Sequence, residues 1–285
     1  MTVQGPLGSS ETAEITIAAR NRSVARGAAR QVLPPVILGL VLLGVWYFVS
    51  YVVLDDARRF LLKPPHEVVA VGFLDGANLA EMTSGLWSST KVAMIGLGIS
   101  IVLGVGLAVA MSQSKLIERA IFPYAVTLQA IPILAIVPLL GFWFGYRLTP
   151  RVVICVIISI FPIIVNTLFG LLSAERAMHD LFTLHRASRL TRLRKLMFPA
   201  SLPAMFTGLR IAAGLSVIGA IVGDFFFGRG EIGIGQLLLR YANRLQGEQL
   251  LASIIVSSAL GVAVFLLFGW LQERVTGKWD DRGAR

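Results

Sequence analysis

Residues 180–203 read DLFTLHRASRLTRLRKLMFPASLP, a polar and basic interval set between two apolar blocks. From Ser173 to Thr207 there are six Lys or Arg and two acids, Glu175 and Asp180. Asp180–Leu184 and Leu190–Met197 each read as a short helix, with Ser188 placed to cap the second. Pro199 and Pro203 follow, and because proline lacks an N–H and collides with the preceding turn, they predict a break. The expected shape is two short helices at an angle, held at one end of a bundle. On charge alone the interval is either a solvated loop that sets topology or a surface that a partner grips.

The blocks around it decide the fold class. The chain has 285 residues, 55% hydrophobic and 15% charged, and a mean hydropathy of +0.75. Soluble domains are nearer about 45–50% apolar and about 25% charged. The excess lies in long charge-free runs, and a spanning helix needs about 20 such residues. The runs predict an all-α, polytopic membrane protein with six spans: 32–54, 92–111, 121–146, 152–172, 211–227 and 249–272. Residues 1–31 and 273–285 are read as polar ends, with no signal peptide and a weak basic amphipathic helix over 14–31 carrying Arg20, Arg22, Arg26 and Arg30.

Within this scheme Asp55–Lys91 is a mixed loop holding a short helix after Pro64-Pro65, and Gly228–Glu248 is a Gly-rich loop. Trp46, Tyr47 and Tyr51 mark an interfacial belt at the end of the first span. The third span contains Pro123, Pro132 and Pro138. Backbone carbonyls freed by proline at membrane depth need protein or a water-filled cavity to satisfy them, so this span is a candidate wall of a pathway.

An even number of spans puts both termini on one side. That side carries sixteen Lys or Arg, the other nine, with Arg210 at a boundary. The net charge of +10 is therefore a topology signal rather than a nucleic-acid footprint, and the termini and residues 180–203 are expected to be cytoplasmic.

Few groups suggest chemistry. There is no G-x-x-x-x-G-K-[ST] sequence to cradle ATP phosphates, no clustered nucleophile set and no metal-ligand spacing. His66, His179 and His185 are scattered over predicted loops, and the single cysteine, Cys155, reads as a small packed side chain. Asp224 is the one acid inside a predicted span. It belongs either to a functional site, since burying a carboxylate in lipid is costly, or to the outer interface. Gln129 and Asn166 make either interhelical hydrogen bonds or solute contacts. Pro132, Trp143 and Phe225 complete the candidate pathway set; Phe225, Phe226 and Phe227 either line a path or pack. Gly141-x-x-x-Gly145 and Gly219-x-x-x-Gly223 permit close helix contacts.

The spacing within 180–203 resembles the cytoplasmic "EAA" loop of ABC importer permeases: Glu-Ala-Ala, three residues, Gly, nine residues, Ile-x-Leu-Pro. Asp180, Leu181 and Phe182 stand at Glu-Ala-Ala, Arg186 at the Gly, and Leu196, Phe198 and Pro199 at Ile, Leu and Pro. Leu181, Phe182 and Arg186 are departures, all bulkier than the residues they replace. The stretches LLKPPHEVVAV, LQAIPILAIVPLLGFWFG, FPIIVNTLFGL and IVGDFFFGRGEIGIGQLL are similar to further stretches of the same family, in its sulfonate, nitrate and taurine branch.

The resemblance implies a permease subunit in the cytoplasmic (inner) membrane of a prokaryote, working as a homodimer. It implies two separate ATP-binding subunits that carry ATP and Mg, an extracytoplasmic solute-binding protein, surrounding membrane lipid, and no cofactor in this chain and no nucleic acid. Asp180, Leu181, Phe182, Arg186, Ala187, Ser188, Arg192, Arg194, Leu196, Pro199 and Pro203 would form the coupling helix region that docks on the ATPase, with Arg186–Lys195 meeting its surface. Solute would arrive at Asp55–Lys91 and Gly228–Glu248. The branch handles small anionic or polar solutes. The rival reading, an ion-coupled secondary transporter, needs intramembrane acids and internal repeats; one such acid and no clear repeat are present. A membrane-embedded enzyme is a third.

Overall fold

A computed structural model describes residues 33–228 and 230–280, the last three by backbone alone. The expected amphipathic helix at 14–31, residue 32 of the first span, Arg229, and the tail from 281 onward lie outside the described residues. The chain divides into two compact units, Met1–Glu67 and Val68–Arg285.

In the first unit, α1 (Leu33–Val53) is 21 residues long and apolar on every face, as a helix surrounded by lipid must be. Its last turn, Val49–Val53, widens to a π-helix. The tight turn Asp56–Leu61 folds back on it. Trp46 Nε1 donates to the Lys63 carbonyl at 3.0 Å, and Ser50 Oγ to that of Leu62 at 2.9 Å. The Arg59 guanidinium lies 4.8 Å from the Tyr51 ring centre. With Tyr47 Oη 3.3 Å from His66 Nδ1, the three aromatics of the expected belt are tied to the segment that follows α1. A short helix, α2 (Pro65–Val69), begins after Pro64.

The second unit is a bundle whose centre is α6. Its helices are α3 (Gly76–Gln113), α4 (Lys115–Ala130), α5 (Ile133–Phe144), α6 (Leu148–Leu172), α7 (Arg176–Leu184), α8 (Arg189–Arg192), α9 (Phe198–Phe226), α10 (Ile234–Asn243) and α11 (Gly247–Asp280). α3 and α9 both pack on α6, and on each other, around Cys155, which is fully buried. A methyl group at Gly219 would come within 2.9 Å of Cys155 Cα, and one at Gly96 on α3 would overlap Cys155 Cβ. Small residues therefore set the helix spacing, as expected where lipid supplies no hydrophobic drive between helices. Leu97, Ala213, Val217 and Phe268 complete this core. A second cluster, with Met111, Ile164, Leu171 and Met197, closes the end nearest residues 180–203. Arg210, midway along α9, rests 3.9 Å from the Phe265 ring centre.

Several expected boundaries are corrected. α3 begins at Gly76, not Val92, so the segment read as loop is helix. Its threonines bond within the helix: Thr83 Oγ1 to Leu79 O at 2.8 Å and Thr90 Oγ1 to Leu86 O at 2.7 Å. Such back-bonding lets Ser and Thr sit inside a helix despite a propensity that disfavours them there. The third span is not one helix. α4 and α5 meet at 100°, because Ile131, ahead of Pro132, is driven into an extended conformation (ψ 125°).

Pro199 and Pro203 do not break the chain. α8 runs through a π-helical turn, Leu193–Met197, into α9, giving one helix of 38 residues over Arg189–Phe226. The widened turn lies where Pro199 would otherwise strike the carbonyl of Lys195. The Gly-rich loop contains α10, and α11 extends past the expected polar tail boundary to Asp280. Among the described residues, five helices are long and apolar enough to cross a membrane, and the bent pair gives a sixth if taken as one span.

Candidate functional site

Two places gather the residues singled out from the sequence. The first is the helical corner α7–α8. α7 ends in a Schellman arrangement: Ala187 N donates to Phe182 O at 2.9 Å and Arg186 N to Thr183 O at 2.9 Å. Arg186 takes the left-handed position of that motif, with φ 51°. This is the position at which the resembled family carries glycine, and the geometry supplies the reason, since only glycine adopts it without a Cβ clash. Ser188 then caps α8, accepting from Thr191 N at 3.2 Å.

The corner presents an apolar stripe to its surroundings: Met178, Leu181 and Leu184 on α7, and Leu190 on α8, with Leu184 81% exposed. Asp180, Arg186, Ser188, Arg194 and Pro203 are exposed as well; Phe182, Ala187, Leu196 and Pro199 are half-buried. Arg192 differs from the expectation that it faces outward. It is half-buried, and its Nη2 donates to Thr183 Oγ1 at 2.9 Å, so it braces α8 against α7. Exposed apolar patches rimmed by charge mark interaction sites, and none of these side chains is arranged for catalysis.

The second place is the opposite end of α9. Asp224 is completely buried and forms an ion pair with Arg151 on the first turn of α6. Its other oxygen receives Ser89 Oγ at 2.5 Å and Gly235 N at 3.3 Å. Ser89 in turn accepts from Ile234 N at 2.9 Å, and Arg151 Nη1 donates to Glu231 O at 3.2 Å. Three membrane helices and the segment 231–235 are thus joined through one carboxylate. Gly233 and Gly235 make this possible: a side chain at 233 would overlap the Asp224 carboxylate, and one at 235 would come within 2.6 Å of Asp224 Cβ.

Beside this network, Lys91 Nζ meets Glu231 Oε2 at 2.5 Å, and this ion pair is the shared wall of two cavities. Lys91 holds the Glu231 carboxyl below the usual glutamate range. Nearby, Glu81 accepts from Arg240 at 2.5 Å and from the Tyr241 hydroxyl at 2.6 Å; burial, followed by this bond, raises the Tyr241 pKa.

Of the other candidate pathway residues, Gln129, Pro132 and Trp143 lie exposed on the bent pair α4–α5, and Phe225 is exposed on α9. Asn166 donates to the carbonyl of Pro162 at 2.8 Å on its own helix. They do not converge with Asp224. Phe227 is buried against Tyr146. Sequence reasoning missed Arg151, Ser89, Gly233 and Gly235. Arg151 falls between the expected third and fourth spans, although an arginine entering an apolar run needs a counter-ion, and Asp224 is the one acid inside an expected span.

Residues 100–277 match the family described as binding-protein-dependent transport system inner membrane component. The formylaminopyrimidine transport permease protein of Halalkalibacterium halodurans is 34% identical over 82% of this chain and 91% of its own length. A probable ABC transporter permease protein of Haemophilus influenzae is 32% identical over 86% and 97%. The nitrate import permease protein of Leptolyngbya laminosa is 25% identical over 86% and 88%. A chain of an amino acid ABC transporter crystallised with histidines shares the fold, with a TM-score of 0.55 at 16% identity, covering 71% of this chain and 98% of that one.

Proposed function

This chain belongs to the family of binding-protein-dependent transport system inner membrane components, and on that premise we propose that two copies form the solute pathway of an ATP-driven importer. It is a membrane permease subunit, and hydrolysis belongs to a separate chain. Each copy docks one ATP-binding subunit through residues 180–203, and a solute-binding protein delivers cargo at the opposite face, near 228–248. The excess of Lys and Arg on the side of residues 180–203 supports a cytoplasmic location for that loop and for both termini. The cargo is a small polar or anionic solute of the kind named for its relatives.

The observation that carries this reading is the continuity of the loop with the bundle. α8 and α9 form one helix of 38 residues, about 57 Å at 1.5 Å per residue. Its first turn carries Leu190 of the exposed apolar stripe and is braced to α7, which carries the rest, through Arg192, and its last turn carries Asp224. A push on α8 from a closing ATPase pair therefore moves, along one rigid element, the carboxylate that ties α3, α6 and α9 together. The coupling is mechanical: a loop gripped at one end and an ion-paired joint at the other.

A cysteine at Leu184 tests the docking. Cys155 is buried and does not compete for reagents. Leu184→Cys is expected to cross-link to the co-expressed ATP-binding subunit and to lose reactivity towards a water-soluble maleimide when that subunit is present. Equal labelling with and without the subunit contradicts the docking.

A further inference from the structure

Two arginines enter the packed helices of the bundle, and their surroundings differ. Arg151 has Asp224 as its counter-ion. Arg210 stands on the same helix as that aspartate, and among the described residues no carboxylate pairs with it. Its guanidinium rests 3.9 Å from the Phe265 ring centre, and Gly269 makes room for it: a methyl group there would lie 3.2 Å from Arg210 Cζ. Nε is enclosed at this contact, which leaves the two Nη nitrogens for a ligand. Side chains lean towards the N-terminus of their helix, so the guanidinium points to the end of the bundle that carries residues 180–203. A cation inside a span either faces water or pairs with an anion.

The cavity beside Arg210 shows what kind of molecule brings that anion. About 570 Å³ in volume, it runs between α9, α10 and α11, and its lining is apolar apart from Ser257 and Ser258. Ser257 already donates to the Ser253 carbonyl at 2.6 Å. Ile211 and Ile218 stand on one wall, Ile254 and Val262 on the other, and the cavity opens to the surface, where Ile218 and Val262 are more than half exposed. Gly214 and Gly261 deepen it, since a methyl group at either position meets nothing within 4 Å. From Ile211 to Ile221 it follows α9 for about 15 Å at 1.5 Å per residue. Phe265 lines the cavity and also carries Arg210 on its ring, so slot and cation are continuous. A polar solute finds almost nothing here to orient it. The combination selects a molecule with a long apolar tail and an anionic head, which in a bilayer is a phospholipid.

We propose that this groove holds one phospholipid, with an acyl chain between α9 and α11 and the phosphate on the Nη nitrogens of Arg210. The proposal goes beyond the importer reading and needs only that the chain spans a membrane. Each methylene buried in the groove adds to retention of the lipid. The acyl chain packs α9, the element that joins residues 180–203 to Asp224, against α11. No covalent bond is made or broken.

The test is native mass spectrometry of the full chain in detergent, titrated with phosphatidylglycerol and with diacylglycerol of the same acyl chains, which lacks the phosphate. One phosphatidylglycerol per chain is expected to bind saturably, and diacylglycerol about tenfold more weakly, the worth of one charge-assisted hydrogen bond. Arg210→Gln should weaken phosphatidylglycerol by a similar factor and leave diacylglycerol unchanged, a split that misfolding would not produce. Gly261→Leu, which fills the groove, should weaken both. Equal binding of the two lipids by the parent, an unchanged phosphatidylglycerol affinity in Arg210→Gln, or unchanged lipid binding in Gly261→Leu overturns the proposal. If Gly261→Leu abolishes a dimer while lipid binding persists, the groove belongs to a second copy and the proposal falls. None of these outcomes bears on ATP-driven uptake, so failure of this site leaves the importer reading standing.

Discussion

Arg151 on the first turn of α6 and Asp224 on the last turn of α9 form an ion pair with both side chains almost wholly removed from solvent. In a medium where an unpaired charge is expensive, each residue is tolerated because the other is present. Asp224→Ala alone should therefore cost about 3–5 kcal/mol, and Arg151→Met alone a similar amount. The double replacement Arg151→Met with Asp224→Leu should cost less than the two singles combined. Thermal unfolding of the detergent-solubilised chain, followed by size-exclusion fluorescence, reads the difference; simple additivity would show that the pair is not coupled.

Gly235→Ala should destabilise the same joint, because the new methyl group meets Asp224 Cβ at 2.6 Å and crowds the Ile221 carbonyl. Gly214→Ala is the control: nothing lies within 4 Å of that position, and replacing a helical glycine removes a penalty of about 1 kcal/mol. The same unfolding assay should rank Gly214→Ala at or above the parent and Gly235→Ala well below it.

At the other end of α9, Arg186 holds a φ of 51°, a conformation that costs a residue with a Cβ roughly 1–2 kcal/mol. Arg186→Gly should relieve that strain and stabilise the corner by about 1 kcal/mol. Slower amide hydrogen exchange at Ala187 and Ser188 would register it. Faster exchange in the glycine variant would mean that the arginine side chain holds the turn.

Arg192 and Arg194 should separate in their effects. Arg192→Ala removes the brace to Thr183 and should loosen the corner in hydrogen exchange. Arg194→Glu leaves the fold intact but should weaken retention of the ATP-binding subunit during co-purification, increasingly so as salt screens the remaining contacts. If the reversed charge at 194 leaves retention unchanged, the contact lies elsewhere on the corner.

The Lys91–Glu231 latch has a defined pH window. Lys91 lowers the Glu231 pKa, so the stabilisation is present above the ordinary glutamate value and is lost as pH falls through the depressed one. The latch should hold from about pH 5 through the neutral range. Glu231→Gln should remove this part of the pH dependence of thermal unfolding. An unchanged pH profile in that variant would show that the pair does not hold the wall.

The all-α membrane fold was legible in residue order because charge-free runs leave few alternatives, and residues 180–203 were legible because prolines and cations are spaced there. The continuous helix through Pro199 was not, because a π-turn depends on tertiary packing of Met197 that no local propensity encodes. The start of α3 was hidden by Ser and Thr, which read as loop until their hydroxyls are seen bonding to the preceding turn. The Arg151–Asp224 joint was half visible: the acid stood out inside a span, while its partner, at the edge of another, looked like a topology marker. Glycines 233 and 235 looked like flexible loop and are instead the surface on which the carboxylate rests.

The central claim, that this chain moves solute by coupling to a separate ATPase through residues 180–203, is tested most directly by uptake into proteoliposomes. The chain is reconstituted with its ATP-binding subunits and solute-binding protein, and the radiolabelled solute bound by that protein is supplied outside. Uptake should require ATP on the side of residues 180–203 and should fall sharply in Arg194→Glu. Uptake driven by an ion gradient, in vesicles containing this chain alone, would contradict the account.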